Sequence, residues 1–202
     1  MLLAFAARRK YNDFMKTFVS GGLGNMKKFN VTGLCVPQKH YMVDLSEKIG
    51  QIRKLIDDEH YFTINRARQY GKTTTLHQLK KAISQNGDYI CASLTFELMS
   101  TGDFDDESTF CDMFLSKMSE ALELSNECEE YSASWYNPEV TGLKELSRHI
   151  TKMCKNKKLV LMIDEVDKST NNRLFLHFLG MLRAKFLSRQ AEEDHNTLKY
   201  YL

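Results

Sequence analysis

The sequence predicts an α/β fold with a mostly parallel sheet, because short apolar segments alternate with amphipathic helical patterns along the chain. The clearest strands are residues 89–96 and residues 159–163, five consecutive apolar residues that run directly into Asp164. A continuous apolar strand of that kind is typical of a parallel sheet covered on both faces. Right-handed crossovers between such strands predict a doubly wound layer structure with helices on both sides of the sheet.

The remaining elements follow in a regular order. Residues 1–40 contain several glycines and predict only a short helix and a loose arm, which leads into a single domain over residues 41–202. A helical pattern from Leu45 stops at three consecutive acidic residues, and residues 61–65 predict a strand. Helical spacing of apolar residues then predicts helices around residues 76–83, 110–122, 140–153 and 174–186.

The composition indicates a cytoplasmic globular protein. The chain has 202 residues, 43% of them hydrophobic, which is enough for one sizeable core. Five scattered cysteines without a CxxC pair suggest neither a disulfide framework nor a zinc site. No apolar run is long enough for a membrane span, and the basic residues follow the apolar start of the chain, which is the wrong order for a signal peptide. A net charge of +2 gives no support for nucleic-acid binding.

The segment between the strand at residues 61–65 and the following helix has the chemistry of a phosphate-binding loop. Gly71, Lys72 and Thr73 offer a helix N-terminus, an ammonium group for the outer phosphates and a hydroxyl for a metal ion. The strict G-x-x-x-x-G-K-[ST] pattern fails at its first position, which is Arg66. From these residues alone, a helix N-terminus with a solvated lysine remains the alternative.

Two carboxylates, Asp164 and Glu165, end the apolar strand at residues 159–163. The carboxyl end of a parallel strand lies at the edge where open α/β sheets bind ligands, so Asp164 is a candidate magnesium ligand there. Glu165 can orient or deprotonate an attacking water. A purely structural strand cap is the alternative. The sequence lacks the Asp-x-x-Gly and Asn-Lys-x-Asp motifs of GTPases, which favours ATP as the nucleotide.

Residues 65–76, Asn-Arg-Ala-Arg-Gln-Tyr-Gly-Lys-Thr-Thr-Thr-Leu, resemble the loop of the AAA-like P-loop ATPases of bacteria and archaea, which reads Asn-Arg-Pro-Arg-Gln-Tyr-Gly-Lys-Thr-Thr-Thr-Leu. The absent first glycine is a trait of that family. Residues 27–33 and 162–172 are also similar to it, and the resemblance extends over about residues 27–190. It implies a P-loop NTPase three-layer sandwich with strand order 5-1-4-3-2.

The same resemblance implies a Walker A and a Walker B motif with ATP and Mg²⁺ as cofactors. It implies Lys72 and Glu165 as catalytic residues and Thr73 and Asp164 as metal-associated residues. The implied nucleotide-binding loop consists of Arg66, Ala67, Arg68, Gln69, Tyr70, Gly71, Lys72, Thr73 and Thr74. The expected activity is magnesium-dependent ATP hydrolysis.

In that strand order a fourth strand lies between the loop strand and the Asp164 strand, and Leu202 stands just where it should begin. We therefore expect the domain to be truncated and its sheet incomplete, unless residues 198–202 supply a stub of that strand. ATP binding is accordingly a firmer expectation than hydrolysis, and a nucleotide-binding interaction module with little or no turnover is the alternative. Self-association or further domains are the expected partners besides ATP, with no membrane.

Overall fold

The computed structural model describes residues 26–30, 33–65, 71–85, 87, 89–97, 99–125, 129–155, 157–166, 172–192 and 199–201. The chain divides into two compact units, Met1–Val43 and Asp44–Leu202. Each unit has its own internal structure.

In the Met1–Val43 unit, an isolated parallel bridge joins Lys28 to His40. The Lys28 amide donates to the Lys39 carbonyl at 2.8 Å, and the Tyr41 amide donates to the Lys28 carbonyl at 3.0 Å. The turn before His40 is held by the Val36 amide, which donates to Nδ1 of His40 at 2.9 Å. These bonds bring the two short segments side by side.

The Asp44–Leu202 unit contains a parallel sheet of three strands: β1 (Ile90–Thr95), β2 (Leu159–Asp164) and β3 (Lys199–Tyr201). Their order is β1-β2-β3, so β2 is central, and it pairs in parallel with both neighbours. The register sets Ile90 opposite Leu159 and Thr95 opposite Asp164. The predicted α/β fold with a parallel sheet is confirmed.

Helices precede, separate and follow these strands, and the helices predicted from apolar spacing are all present. No described helix is long and apolar enough to cross a membrane. A 3-10 turn spans Thr101–Phe104, and the helices are α1 (Ser46–Asp57), α2 (Lys72–Ser84), α3 (Glu107–Glu123), α4 (Glu129–Ala133), α5 (Leu143–Met153) and α6 (Arg173–Glu192).

Helices pack on both faces of the sheet because successive side chains of a strand point to opposite faces. Val160 and Met162 of β2 belong to one apolar cluster, which also contains Ile52, Ile56, Leu79 and Ile83 of α1 and α2. Leu159, Leu161 and Ile163 belong to a second, larger cluster, which includes Phe114 of α3, Leu146 of α5 and Phe178 of α6. All five apolar residues of β2 are at most 4% exposed, as predicted for a strand covered on both faces.

Two expectations about the sheet are corrected. Residues 61–65, predicted as the strand before the phosphate loop, are not part of a strand. A strand is stabilised by its ladder of hydrogen bonds, and β3, the neighbour expected there, has only three residues. The expected gap beside β2 is also not observed, since Lys199–Tyr201 pairs with Val160–Met162. The stub within residues 198–202 is therefore the alternative that the structure adopts.

Candidate functional site

The two half-sites predicted from the sequence meet at the carboxyl end of β2. Asp164 has the same strand parity as Val160 and Met162, so it faces the side of the sheet that α1 and α2 cover. Helix α2 begins at that edge. The Thr73 hydroxyl donates a hydrogen bond to Oδ2 of Asp164 at 3.2 Å, although 91 positions separate the two residues.

The backbone at the start of α2 requires glycine. Gly71 precedes the helix with a φ of +73°, in the left-handed region, where a residue with a Cβ is disfavoured by about 1–2 kcal/mol. The first hydrogen bond of the helix runs from the Thr75 amide to the Gly71 carbonyl at 2.9 Å. The Thr75 hydroxyl donates to the same carbonyl at 2.9 Å. The amides of Lys72 and Thr73 therefore precede the helical ladder and have no acceptor within the helix.

The N-terminus of α2 lacks the features that ordinarily stabilise a helix start. Its N-cap residue makes no side-chain hydrogen bond to the helix, and its first turn contains no acidic residue. In contrast, Asp106 caps α3 by accepting from the Thr109 amide at 3.0 Å. The partial positive charge of the α2 terminus is thus left for an external anion. This favours a phosphate-binding loop over the structural alternative.

The predicted loop residues divide into three groups. Lys72 is half-buried and Thr73 is exposed, so both side chains are available at the edge of the sheet. Thr74 is only 8% exposed, which places its side chain in the protein interior. Arg66, Ala67, Arg68, Gln69 and Tyr70 lie outside the described residues, and their contribution stays a prediction.

Both oxygens of the Asp164 carboxylate have a donor from the chain. Oδ2 accepts from Thr73, and Oδ1 accepts from the Glu165 amide at 2.9 Å. Glu165 itself has a φ of +59°, a left-handed conformation that is costly for a residue other than glycine. Backbone strain of this kind concentrates at functional sites, where the surrounding structure holds it in place. Here it turns the chain immediately after the metal-associated carboxylate.

Thr95 is a site residue that sequence reasoning missed. It is the last residue of β1 and lies opposite Asp164 in the register of the sheet, so both side chains are on the same face. Thr95 is exposed, and its hydroxyl oxygen accepts from the Glu97 amide at 3.2 Å. A hydroxyl that accepts one bond can still donate another. The strand pairing that brings Thr95 here cannot be read from local sequence; only its position at a strand end hinted at it.

The pair of oxygens on Thr73 and Asp164 fits a magnesium ion. Adjacent ligands of an octahedral Mg²⁺, bound at about 2.1 Å, lie about 3 Å from each other. The observed separation of 3.2 Å matches two such positions. Within the described part of the chain, no group of three or more His, Cys, Asp or Glu residues is arranged to hold a metal. A metal at this edge would therefore depend on oxygens from water and from a bound phosphate.

A cavity of about 500 Å³ lies elsewhere in the Asp44–Leu202 unit. It is lined by Tyr61 and by the second half of α6, including Arg183 and Phe186, and it contains none of the candidate site residues. Burial raises the pKa of the Tyr61 hydroxyl, an effect that the Arg183 charge partly offsets. The candidate site is thus an open edge of the sheet and not an enclosed pocket.

Comparison with known protein families matches residues 41–201, well over half of the chain, to the family described as AAA-like domain. Neither the curated proteins nor the solved structures gave a significant match.

Proposed function

Because the chain belongs to the AAA-like domain family, we propose that its Asp44–Leu202 unit is a P-loop NTPase domain that binds and hydrolyses ATP with Mg²⁺. The observation that carries this proposal is the 3.2 Å hydrogen bond from Thr73 to Asp164. It joins the proposed Walker A and Walker B motifs at the carboxyl end of the sheet, where open α/β sheets bind their ligands. A structural helix start and a strand cap would not need to converge in this way.

In this proposal the start of α2 binds the phosphates of ATP. The Lys72 and Thr73 amides and the helix dipole attract the phosphate oxygens, and the Lys72 ammonium contacts the outermost phosphate. Gly71 leaves the surface in front of these amides open, since a Cβ at this position would have no atom within 4 Å. Residues 66–70 complete the loop around the phosphates.

Thr73 and Asp164 are the residues that hold Mg²⁺. When bound, the ion neutralises charge on the phosphate oxygens and draws them into position. The Glu165 amide fixes the orientation of the Asp164 carboxylate through Oδ1, which leaves Oδ2 directed at Thr73. The chain therefore supplies two preorganised oxygens, and the nucleotide supplies the rest of the binding energy.

Glu165 is the proposed general base. Its carboxylate accepts a proton from a water whose oxygen forms a bond to the γ-phosphorus of ATP, while the bond from that phosphorus to the β–γ bridging oxygen breaks. ADP and inorganic phosphate are the products. Lys72 stabilises the charge that spreads over the phosphoryl oxygens during this transfer.

A nucleotide-binding interaction module with little or no turnover is the second candidate. It is favoured by the short β3 and by residues 61–65, which are not in a strand. Less regular sheet then fixes the edge between Gly71 and Asp164, and phosphoryl transfer depends on precise positioning. Binding through the start of α2 tolerates such looseness better than catalysis does.

We further propose a cytoplasmic protein that works with additional domains or by self-association. None of the described cysteines forms a disulfide, and Cys91, Cys111 and Cys154 are buried, as suits a reducing compartment. Cell fractionation tests the location, and sedimentation equilibrium with and without ATP tests self-association. A protein recovered only outside the cytoplasm, or monomeric in every nucleotide state without further domains, would contradict the respective statement.

The experiment that separates hydrolysis from binding alone uses Glu165→Gln, with Glu139→Gln as a matched control at an exposed position. ATP affinity and phosphate release are measured for the three proteins. The proposal expects unchanged affinity throughout and a phosphate release rate about 100-fold or more lower in Glu165→Gln. Binding without any phosphate release in the parent would establish the interaction module. Equal release from the parent and Glu165→Gln would remove Glu165 from its role.

A further inference from the structure

The charge of the chain is divided unevenly between its two units. Residues 1–43 contain seven Lys and Arg residues and one Asp, a net charge of +6, which leaves −4 for residues 44–202 within the overall +2. The near-neutral total therefore conceals a strongly basic segment. A basic segment joined to an acidic domain is a typical electrostatic feature of proteins that bind polyanions.

Two aromatic rings lie exposed in this basic unit. Phe29 is 70% exposed and Tyr41 is 49% exposed, yet their ring centroids are 4.9 Å apart with an interplanar angle of 33°. The backbone pairing of Lys28 with Lys39 and Tyr41 holds the rings together. An aromatic pair at the surface leaves apolar faces in water, which is unfavourable unless another flat group stacks on them.

Three lysines surround this ring pair in the sequence. Lys27 and Lys28 directly precede Phe29, and Lys39 stands two positions before Tyr41. All three are exposed, and none of the three ammonium groups forms a salt bridge with a residue that the structure describes. No Asp or Glu occurs between Asp13 and Asp44, so the positive charge here is not offset locally.

We propose that this basic aromatic surface, formed by Lys27, Lys28, Phe29, Lys39 and Tyr41, binds single-stranded nucleic acid. Stacking of bases on aromatic rings beside cations that contact the phosphates is the general mode of sequence-tolerant binding to single strands. In a duplex the faces of the bases are stacked on one another, so the rings would have no face to contact. The surface therefore distinguishes single strands from duplexes.

An anionic lipid surface would offer the same charge complementarity but fits the backbone less well. Segments that lie in a membrane interface ordinarily form an amphipathic helix, whose backbone hydrogen bonds are satisfied internally. The described residues of this unit, 26–30 and 33–43, contain no helix; they form a bridge and a turn. The pair of rings is also small, which suits one or two bases better than an interface.

The test is fluorescence anisotropy of a labelled 20-nucleotide oligothymidine with the full chain, over a range of salt concentrations. The charge variant is Lys27→Ala/Lys28→Ala/Lys39→Ala, matched by Lys48→Ala/Lys54→Ala/Lys81→Ala, which removes three exposed lysines from α1 and α2. The slope of log affinity against log salt should fall in magnitude by about 2 in the first variant only, at about 0.7 for each phosphate that a lysine no longer neutralises. Equal slopes in the two triple variants would overturn the proposal.

Phe29→Ala and Tyr41→Ala test the stacking separately, with Leu124→Ala as the control at an exposed apolar position. Each ring variant should bind the oligonucleotide about tenfold more weakly at constant salt, and the control should bind as the parent does. All three sites are exposed, and circular dichroism checks that the variants remain folded.

Three results would contradict the inference. These are equal affinity for a 20-base-pair duplex and for the single strand, binding to phosphatidylserine vesicles without binding to the oligonucleotide, and a parallel loss of ATP affinity in the ring variants. The last result would show that the rings serve a mononucleotide. Since none of these variants alters Lys72, Thr73, Asp164 or Glu165, failure here leaves the proposed ATP site untouched.

Discussion

Replacement of Thr73 by valine removes the hydroxyl that links the two halves of the site and keeps the shape of the side chain. Without nucleotide the effect on stability should be small. The hydrogen bond to Asp164 is solvent-exposed and 3.2 Å long, so its contribution to folding is at the lower end of about 0.5–1.5 kcal/mol. Valine and threonine also have similar helix propensities. We expect a decrease of about 0.5 kcal/mol in the free energy of unfolding.

With Mg²⁺ and ATP the effect of Thr73→Val should be much larger. The variant lacks one of the two oxygens proposed to hold the metal and the donor that orients Oδ2 of Asp164. Changes in groups that orient metal ligands typically weaken metal binding about 10- to 100-fold. A weakening of Mg·ATP binding by the same factor corresponds to about 1.4–2.8 kcal/mol.

The assay is a titration with a fluorescent ATP analogue, once with Mg²⁺ and once with EDTA. Thr73→Ser is the matched control, because it keeps the hydroxyl and removes only a methyl group. The valine variant should bind more weakly with Mg²⁺ and like the parent with EDTA, whereas the serine variant should bind like the parent in both. Equal Mg·ATP affinity in the valine variant and the parent would refute the metal assignment. An equal weakening with and without Mg²⁺ would identify a packing effect instead.

Two further predictions concern stability. Burial lowers the pKa of His149, whose Nε2 lies 3.0 Å from the Trp135 carbonyl oxygen, and the charge on Lys152 acts in the same direction. Below about pH 6.5 the unfolded chain therefore binds the proton more readily than the folded one, so the urea midpoint should fall from about pH 7 to about pH 5.5 and fall less in His149→Gln. An equal fall in both proteins would contradict this. Glu59, which follows α1 with a φ of +61°, should gain about 0.5–1 kcal/mol on replacement by glycine, seen as a melting temperature about 1–4 °C higher; a lower melting temperature would count against it.

The elements that the sequence predicts well are those whose pattern is local. Apolar residues at helical spacing predicted α1, α3, α5 and α6 within a few residues, because each buries one stripe of its surface. The uninterrupted apolar residues before Asp164 predicted β2, because only a strand covered on both faces needs that composition. Residues 61–65 have a similar composition, but a strand also needs a paired neighbour, and pairing is not a local property.

The candidate site divides along the same line. Local chemistry identified Gly71, Lys72 and Thr73 as one half and Asp164 as the other. Their contact across 91 positions depends on how α2 lies on the sheet, which no local pattern contains. Thr95 was missed for that reason, since only the register of β1 against β2 places it beside Asp164. The left-handed backbone of Glu165 also follows from its surroundings, because glutamate has no local preference for it.

The central claim, that the start of α2 and the end of β2 form one ATP site, is tested most directly by calorimetric titration of the full chain with Mg·ATP. The matched variants are Lys72→Ala and Lys81→Ala, which remove one lysine from the first and the last turn of α2 respectively. Removal of a charge-assisted hydrogen bond to phosphate costs about 1.5–3 kcal/mol, so Lys72→Ala should bind about 10- to 100-fold more weakly. The account predicts this weakening together with an unchanged affinity in Lys81→Ala. Equal ATP affinity in Lys72→Ala and the parent would contradict it.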